Sequence, residues 1–199
     1  METTQAQKKK TPLNFFRQKD VLQIGKDLIG KQLFTQFDGK LTGGMIIETE
    51  SYKGAEDKAC HAYGNRKTER TRVMFENGGI AYVYLCYGIH HLFNIVTHTA
   101  GTPHAILIRA ISPTHGLETM LQRRKKKHVT KALTKGPGTL TEALGIRIEH
   151  SGTSLIEDKI WIEEGETQIP SDQILCSPRI GVSYAEEHAL LPWRFYLAK

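Results

Sequence analysis

Between Met45 and Gly64 the chain reads MIIETESYKGAEDKACHAYG. Glu48, Glu50 and Tyr52 stand at alternate positions. In an extended strand they share one face with Ile46, while Met45, Ile47, Thr49 and Ser51 share the other. Two carboxylates and a phenol side by side, in a segment this apolar, are either paired with arginine or equipped for acid–base chemistry. Arg66, Arg70, Arg72 and Arg109 are available partners. A third reading is a hard-metal site built from Glu48, Glu50, Glu56, Asp57 and His61, although the spacing matches no defined cation loop.

Tyr52, His61, Tyr82, Tyr84 and Tyr87 gather aromatic rings around the acidic strand. Tyrosine is at home on any half-buried sheet. The same group could also form a slot that stacks a planar ligand such as a nucleobase. Tyr82 and Tyr84 fall on one face of their strand. Tyr87 sits at a Tyr-Gly bend, where a bulky ring would protrude and could act as a wedge between stacked bases.

These residues must be held by the elements around them. Asp20 before Val21, Leu22, Ile24, Leu28 and Ile29 predicts a capped amphipathic helix ending near Gly30. Lys31 to Phe37 reads as a strand, and Asp38-Gly39 as the turn into a second strand reaching Tyr52. Lys53 to Gly79 is a long polar connection of the kind that carries function. Ile80 to Leu85 and Ile89 to Thr97 form a second hairpin. His104 to Ile111 is a further strand, Gly116 to Arg124 a short helix, and a helix is expected from Thr139 to Gly145. Late strands are expected at Lys159–Ile162, Arg179–Val182 and Trp193–Leu197. Regular alternation of strand and helix is missing, so the expected fold is mixed α/β (α+β), built mainly on antiparallel strands. Residues 1–12 read as a flexible basic tail and 13–199 as one domain.

Composition narrows the function classes. The chain has 199 residues and a formal net charge of +6. Seven basic residues against one acidic lie between Glu118 and Lys135, a local net of +6 that leaves the remainder balanced. The run Arg123, Arg124, Lys125, Lys126 and Lys127 is either a solvated loop or a phosphate-contacting edge. No apolar run approaches the ~20 residues of a membrane span, and no signal-peptide pattern opens the chain. A cytoplasmic location is expected. Cys60, Cys86 and Cys176 are odd in number and scattered, which suggests reduced thiols. GPGTL lacks the Lys-Ser/Thr ending of a phosphate loop, and GxGxxG, GxSxG and HExxH motifs are missing.

Five blocks then stand together: IIETESYKGAEDKACH, RTRVMFENGGIAYVYLCYGIHHLFNIV, AILIRAISPTHGLETM, GPGTLTEALGI and RIGVSYAEEHALLPWRFY. In this order they resemble the alkyladenine DNA glycosylase family, also called methylpurine or 3-methyladenine DNA glycosylases, and cover most of residues 20–197. The chain is similar to the compact bacterial members. The resemblance implies a single mixed α/β domain around a curved, mainly antiparallel sheet, whose β-hairpin enters the DNA minor groove. It implies Glu50, not Glu48, as the general base for a water attacking the deoxyribose, with Arg109 holding that water and the adjacent phosphate. It places Val182 near a backbone carbonyl of the water site. Tyr52 would form one wall of the base pocket, and His61 and Tyr84 the other. Asn94 would exclude the amine of guanine. Tyr87 would fill the gap left by a flipped nucleotide, and Met74 would contact the opposite strand. Glu48 is left as a salt-bridged partner.

The implied activity is release of alkylated or deaminated purines (3-methyladenine, 7-methylguanine, hypoxanthine, ethenoadenine) from duplex DNA, by a monomer without metal or other cofactor. Ile89-His90-His91 is more histidine-rich, and Arg123–Lys127 more basic, than the family pattern needs. Two other readings are a duplex-binding module without chemistry and a metal-dependent hydrolase using Glu48, Glu50 and His61.

Overall fold

The computed structural model describes residues 10–166 and 168–198. Short helices α1 (Leu13–Phe16) and α2 (Val21–Asp27) precede strands β1 (Gln32–Phe37) and β2 (Lys40–Tyr52). Then come β3 (Ala81–Cys86), β4 (His90–Thr97), β5 (His104–His115), α3 (Leu117–Arg123), α4 (Pro137–Leu144), β6 (Ile160–Glu163), β7 (Ile174–Ser177) and β8 (Arg194–Leu197). All pairings are antiparallel, in the order β3-β4-β5-β2-β1-β6. β2 is the spine. Its first half pairs with β1 and its second half with β8, while β5 lines its other edge. The sheet curls around the core, as the resemblance implies.

The local chemistry explains the elements. Asp20 caps α2, accepting from the amides of Leu22 (2.9 Å) and Gln23 (3.2 Å), a cap that stabilises a helix by about 1 kcal/mol. α2 lies hard against β2: a Cβ on Gly25 would stand 2.3 Å from the Ser51 hydroxyl oxygen. Thr49 and Ser51 donate to the carbonyls of Gly25 and Val21. The face opposite the acids is thereby committed to the helix.

The ladder between β2 and β5 is irregular where the acids sit. Ile46 opposes Ile111, Glu48 opposes Ala110 and Thr49 opposes Ile108. Ile47 on β2 and Arg109 on β5 are therefore extra residues. Bulges of this kind re-aim side chains, and this one turns Arg109 toward the acids. Strict alternation holds from Glu48 to Tyr52 and breaks at Ile47.

Three expectations are corrected. Lys10 and Thr11 are not tail: the Thr11 amide donates to Ile162 (2.8 Å), its side chain is buried, and Lys10 pairs with Asp158. Of the rest of the expected tail, Pro12 leads into α1 and 1–9 lie outside the described residues. Arg179–Val182 is not a strand. Gly181 takes φ +78°, and the strand before it is β7, four residues earlier. α4 starts at Pro137 rather than Thr139, because proline at the first helical position gives up no hydrogen bond.

Candidate active site

The second half of β2 carries Glu48, Glu50 and Tyr52 to one end of the sheet, where β5, β8 and the loop after β7 meet it. Glu50 is 0% exposed. Its Oε1 accepts from the Ile180 amide (2.7 Å) and lies 3.3 Å from an Arg109 terminal nitrogen, while Oε2 accepts from the Tyr52 hydroxyl (2.9 Å). The Tyr52 phenol is held well above its usual range, first by burial and then by the Glu50 carboxylate, so it stays a donor. Glu48 Oε1 accepts from Nε of Arg109 (2.9 Å) and Nε of Arg194 (2.7 Å). The result is a chain of alternating charge, Arg194–Glu48–Arg109–Glu50, ending on Tyr52.

Beside Glu50, across Tyr52, Arg109 and Ile180, opens a cavity of about 270 Å³. Tyr52, His61, Tyr84, Asn94, Leu107, Val182 and Tyr184 are among its walls. Nδ1 of His61 lies 2.9 Å from the Tyr82 hydroxyl, and the His61 ring stands edge-on to Tyr84 with centroids 4.6 Å apart. Burial, then Arg70 and Arg66, push His61 down to about 4, and burial pushes Tyr82 up to about 12. His61 and Tyr82 are therefore neutral near pH 7. Asn94 is pinned by donating to the carbonyl of Tyr82 (3.2 Å). The Val182 carbonyl accepts from Ala185 (2.9 Å), which leaves one lone pair for a further donor.

Behind Tyr52 sits a second enclosed ion pair. Arg179 lies between the rings of Tyr52 and Trp193, 4.8 and 5.0 Å from their centroids. It meets Asp57 through both terminal nitrogens, at 2.5 and 2.9 Å. Burial works against the guanidinium charge, but Asp57 outweighs it and raises Arg179 overall. This pair fastens the long connection after β2 to the loop after β7, and so sets the Ile180 amide on Glu50.

The β3–β4 hairpin rises beside the cavity. Tyr87 at its tip is 93% exposed and adopts φ +52°, followed by Gly88 at φ +71°. Both central residues are left-handed, the turn that matches strand twist. Ile89, beside it, is 72% exposed.

The structure thus brings Glu50, Arg109, Tyr52, His61, Tyr84, Asn94 and Val182 together, with Tyr87 at the rim. Others lie elsewhere. Met74 is 2% exposed and packs with Cys60, Ala62 and Tyr82 under the cavity. A thioether so enclosed does not reach the opposite DNA strand, and the expected contact is corrected to a core role. Arg123 donates to Thr42 and to the Ala143 carbonyl, and Arg124 pairs with Glu142. Both arginines tie α3 to α4, which leaves Lys125, Lys126 and Lys127 as the exposed part of the run. The metal reading finds both carboxylates engaged: Glu48 Oε1 takes two guanidinium donors, and Glu50 takes amide, guanidinium and phenol donors. Among the described residues no group of three or more His, Cys, Asp or Glu is placed to hold an ion. Sequence reasoning missed Tyr184 and the Ile180 amide, whose neighbours in space come from distant segments. The three cysteines are free thiols.

Comparison with known proteins finds relatives along most of the chain. The profile of the methylpurine-DNA glycosylase family matches residues 14–199. A protein from Chlamydia felis is 50% identical over 190 residues, covering 94% of this chain and 95% of its own. One from Bacillus mycoides is 47% identical over 192 residues, covering 92% and 94%, and one from Bacillus cereus (strain ATCC 10987) is 48% identical over 189, covering 91% and 92%. All three are named, provisionally, 3-methyladenine DNA glycosylases.

Proposed function

The chain belongs to the methylpurine-DNA glycosylase family, and from that premise we propose that it flips alkylated or deaminated purines out of duplex DNA and hydrolyses their N-glycosidic bond. Candidates are 3-methyladenine, 7-methylguanine, hypoxanthine and ethenoadenine. Glu50 takes a proton from a water as that water attacks C1′ of the deoxyribose. The C1′–N bond breaks, its electron pair leaves with the purine, and an abasic site remains. Arg109 steadies the water and the neighbouring phosphate, and the Val182 carbonyl completes the water's shell. The sugar passes through an oxocarbenium-like state, so a carboxylate beside it also stabilises the developing positive charge.

The purine stacks between Tyr52 on one side and His61 and Tyr84 on the other. Such a slot favours cationic, electron-poor bases through their attraction to ring faces. Asn94 rejects the amine of normal guanine. Tyr87 takes the place of the flipped nucleotide, and flipping is cheapest for a damaged base. Lys125, Lys126 and Lys127 contact phosphates. The protein acts as a monomer, through one domain that includes Lys10 and Thr11, in the cytoplasm and without metal or redox cofactor.

One observation carries the reading. A fully buried carboxylate lies directly behind an aromatic cavity, fixed by an amide, a guanidinium and a phenol that themselves line that cavity. The test is to incubate the protein with a panel of lesion duplexes in excess chelator and identify any free base by chromatography. Release of a methylated or deaminated purine is expected. Tight binding with no base released would identify a non-catalytic module, and release abolished by chelator a metal-dependent hydrolase.

A further inference from the structure

Arg194 has no part in the scheme above, yet it closes the chain of charges that ends on Glu50. On β8, Arg194 faces Glu50 across the ladder and Tyr196 faces Glu48. The Arg194 side chain nevertheless leans over the Tyr196 ring, 4.7 Å from its centroid, and gives its Nε–H to Oε1 of Glu48 (2.7 Å). Ser177 on β7 accepts from one of its terminal nitrogens (3.1 Å) and holds the lean in place. Arg109 gives its own Nε–H to the same Glu48 oxygen (2.9 Å), which leaves an Arg109 terminal nitrogen 3.3 Å from Oε1 of Glu50. The titratable and charged groups around Glu50 are thus Glu48 and Tyr52 on its own strand, Arg109 from β5, Arg194 from β8 and Arg179 from the loop after β7, which Asp57 already neutralises.

Arg194, Glu48, Arg109 and Glu50 carry two charges of each sign and sum to zero. Without Arg194 the sum is −1, and one guanidinium has two carboxylates to serve. Glu48 then has a lone pair free for a second donor from Arg109. A two-pronged grip, Nε with a terminal nitrogen, is the arrangement a guanidinium favours on a carboxylate, and taking it would turn Arg109 away from Glu50. We propose that Arg194 is a positioning residue for purine release: by occupying Oε1 of Glu48, it keeps Arg109 turned to Glu50 and to the water that Glu50 activates. The proposal rests on reading Glu50 as the general base. Arg194 stands outside the cavity wall, so it acts through Glu48 and Arg109 rather than on the purine. An acidic site left one charge more negative accepts a proton more readily, and the base is then spent at a higher pH.

The test is the pH profile of single-turnover release of 7-methylguanine from duplex DNA. This base already carries its leaving charge and needs no proton, so the acid limb of the profile reports the group that activates water. Arg194→Gln should move that limb up by about one pH unit, the lower end of what one nearby counter-charge does. Arg194→Lys keeps the charge and should move it by less than half as much. Glu48→Gln should move the limb down, because Arg109 then serves Glu50 alone. Glu48→Gln combined with Arg194→Gln restores the balance and should return the limb close to wild type. A variant that only folds less well loses rate at every pH and moves no limb. An Arg194→Gln limb at the wild-type position overturns the proposal, and so does a double variant that stays with Arg194→Gln. If Arg194→Gln does not fold, Glu48→Gln decides, and a limb there that is unmoved or raised overturns the proposal. Failure of the general-base reading looks different: wild-type protein then releases no purine, or releases it with no acid limb to move.

Discussion

Replacing Asp57 by alanine tests how the site is held together. Asp57 accepts four hydrogen bonds: two from Arg179, at 2.5 and 2.9 Å, and one each from the amides of Lys53 (3.2 Å) and Ala59 (3.0 Å). Neither side chain of the pair reaches solvent. Alanine leaves a guanidinium enclosed between Tyr52 and Trp193 with no carboxylate hydrogen-bonded to it, and two amides without acceptors. Removing one partner of a buried pair costs about 3–5 kcal/mol. For a chain of this length each kcal/mol lowers the melting temperature by about 2–4 °C, so the expected fall is roughly 6–20 °C. Arg179→Met in the same background removes the stranded charge and should restore part of the loss, with a coupling of at least about 1 kcal/mol. Thermal and urea unfolding of the four species give the cycle. An Asp57→Ala loss below about 1 kcal/mol, or strict additivity, would refute the view that this pair fastens the Ile180 loop to the acidic strand.

Tyr87→Gly should separate stability from function. It relieves a left-handed backbone and should leave stability unchanged or raised by up to about 1 kcal/mol, while the fluorescence signal of a flipped base weakens; an undiminished signal would remove Tyr87 as the wedge. His61 and His104 are both pushed down to about 4, mainly by burial, against ~6.5 in an unfolded chain. The folded state binds fewer protons in that window, so stability is full above about pH 6.5 and is lost as pH falls toward 4, by up to about 1.4 kcal/mol per pH unit for each histidine. Urea midpoints that stay level from pH 7 to 4.5 would contradict this. Neutralising Lys125, Lys126 and Lys127 should flatten the salt dependence of DNA binding by about 0.9 per lost phosphate contact and spare stability, whereas Arg124→Ala should lower stability. An unchanged salt slope assigns the three lysines to solvent.

Local patterns were legible in the sequence, and long-range ones were not. The Asp20 cap, the Asp38-Gly39 turn, the β3–β4 hairpin with Tyr87 at its tip, and the alternation from Glu48 to Tyr52 all follow from short-range rules. The bulge that aims Arg109 at both acids depends on the register of two strands, which no window of either strand contains. Arg179-Ile180-Gly181-Val182 alternates like a strand, but its arginine is drawn into a pair with Asp57, 122 residues away, and its Ile180 amide goes to Glu50 rather than to a ladder. Met74 is apolar and was best read by that fact alone, as core. Arg123 and Arg124 belong to a charge run, yet they stand at the end of α3 that meets α4 and are used there.

The central claim is that the Glu50 carboxylate activates the attacking water. Its most direct test is Glu50→Gln, with purine release under single turnover and binding to a lesion duplex measured on the same preparation. The account predicts retained binding and a release rate lowered by at least about 100-fold, the lower bound for losing a general base. Release at the wild-type rate would contradict it.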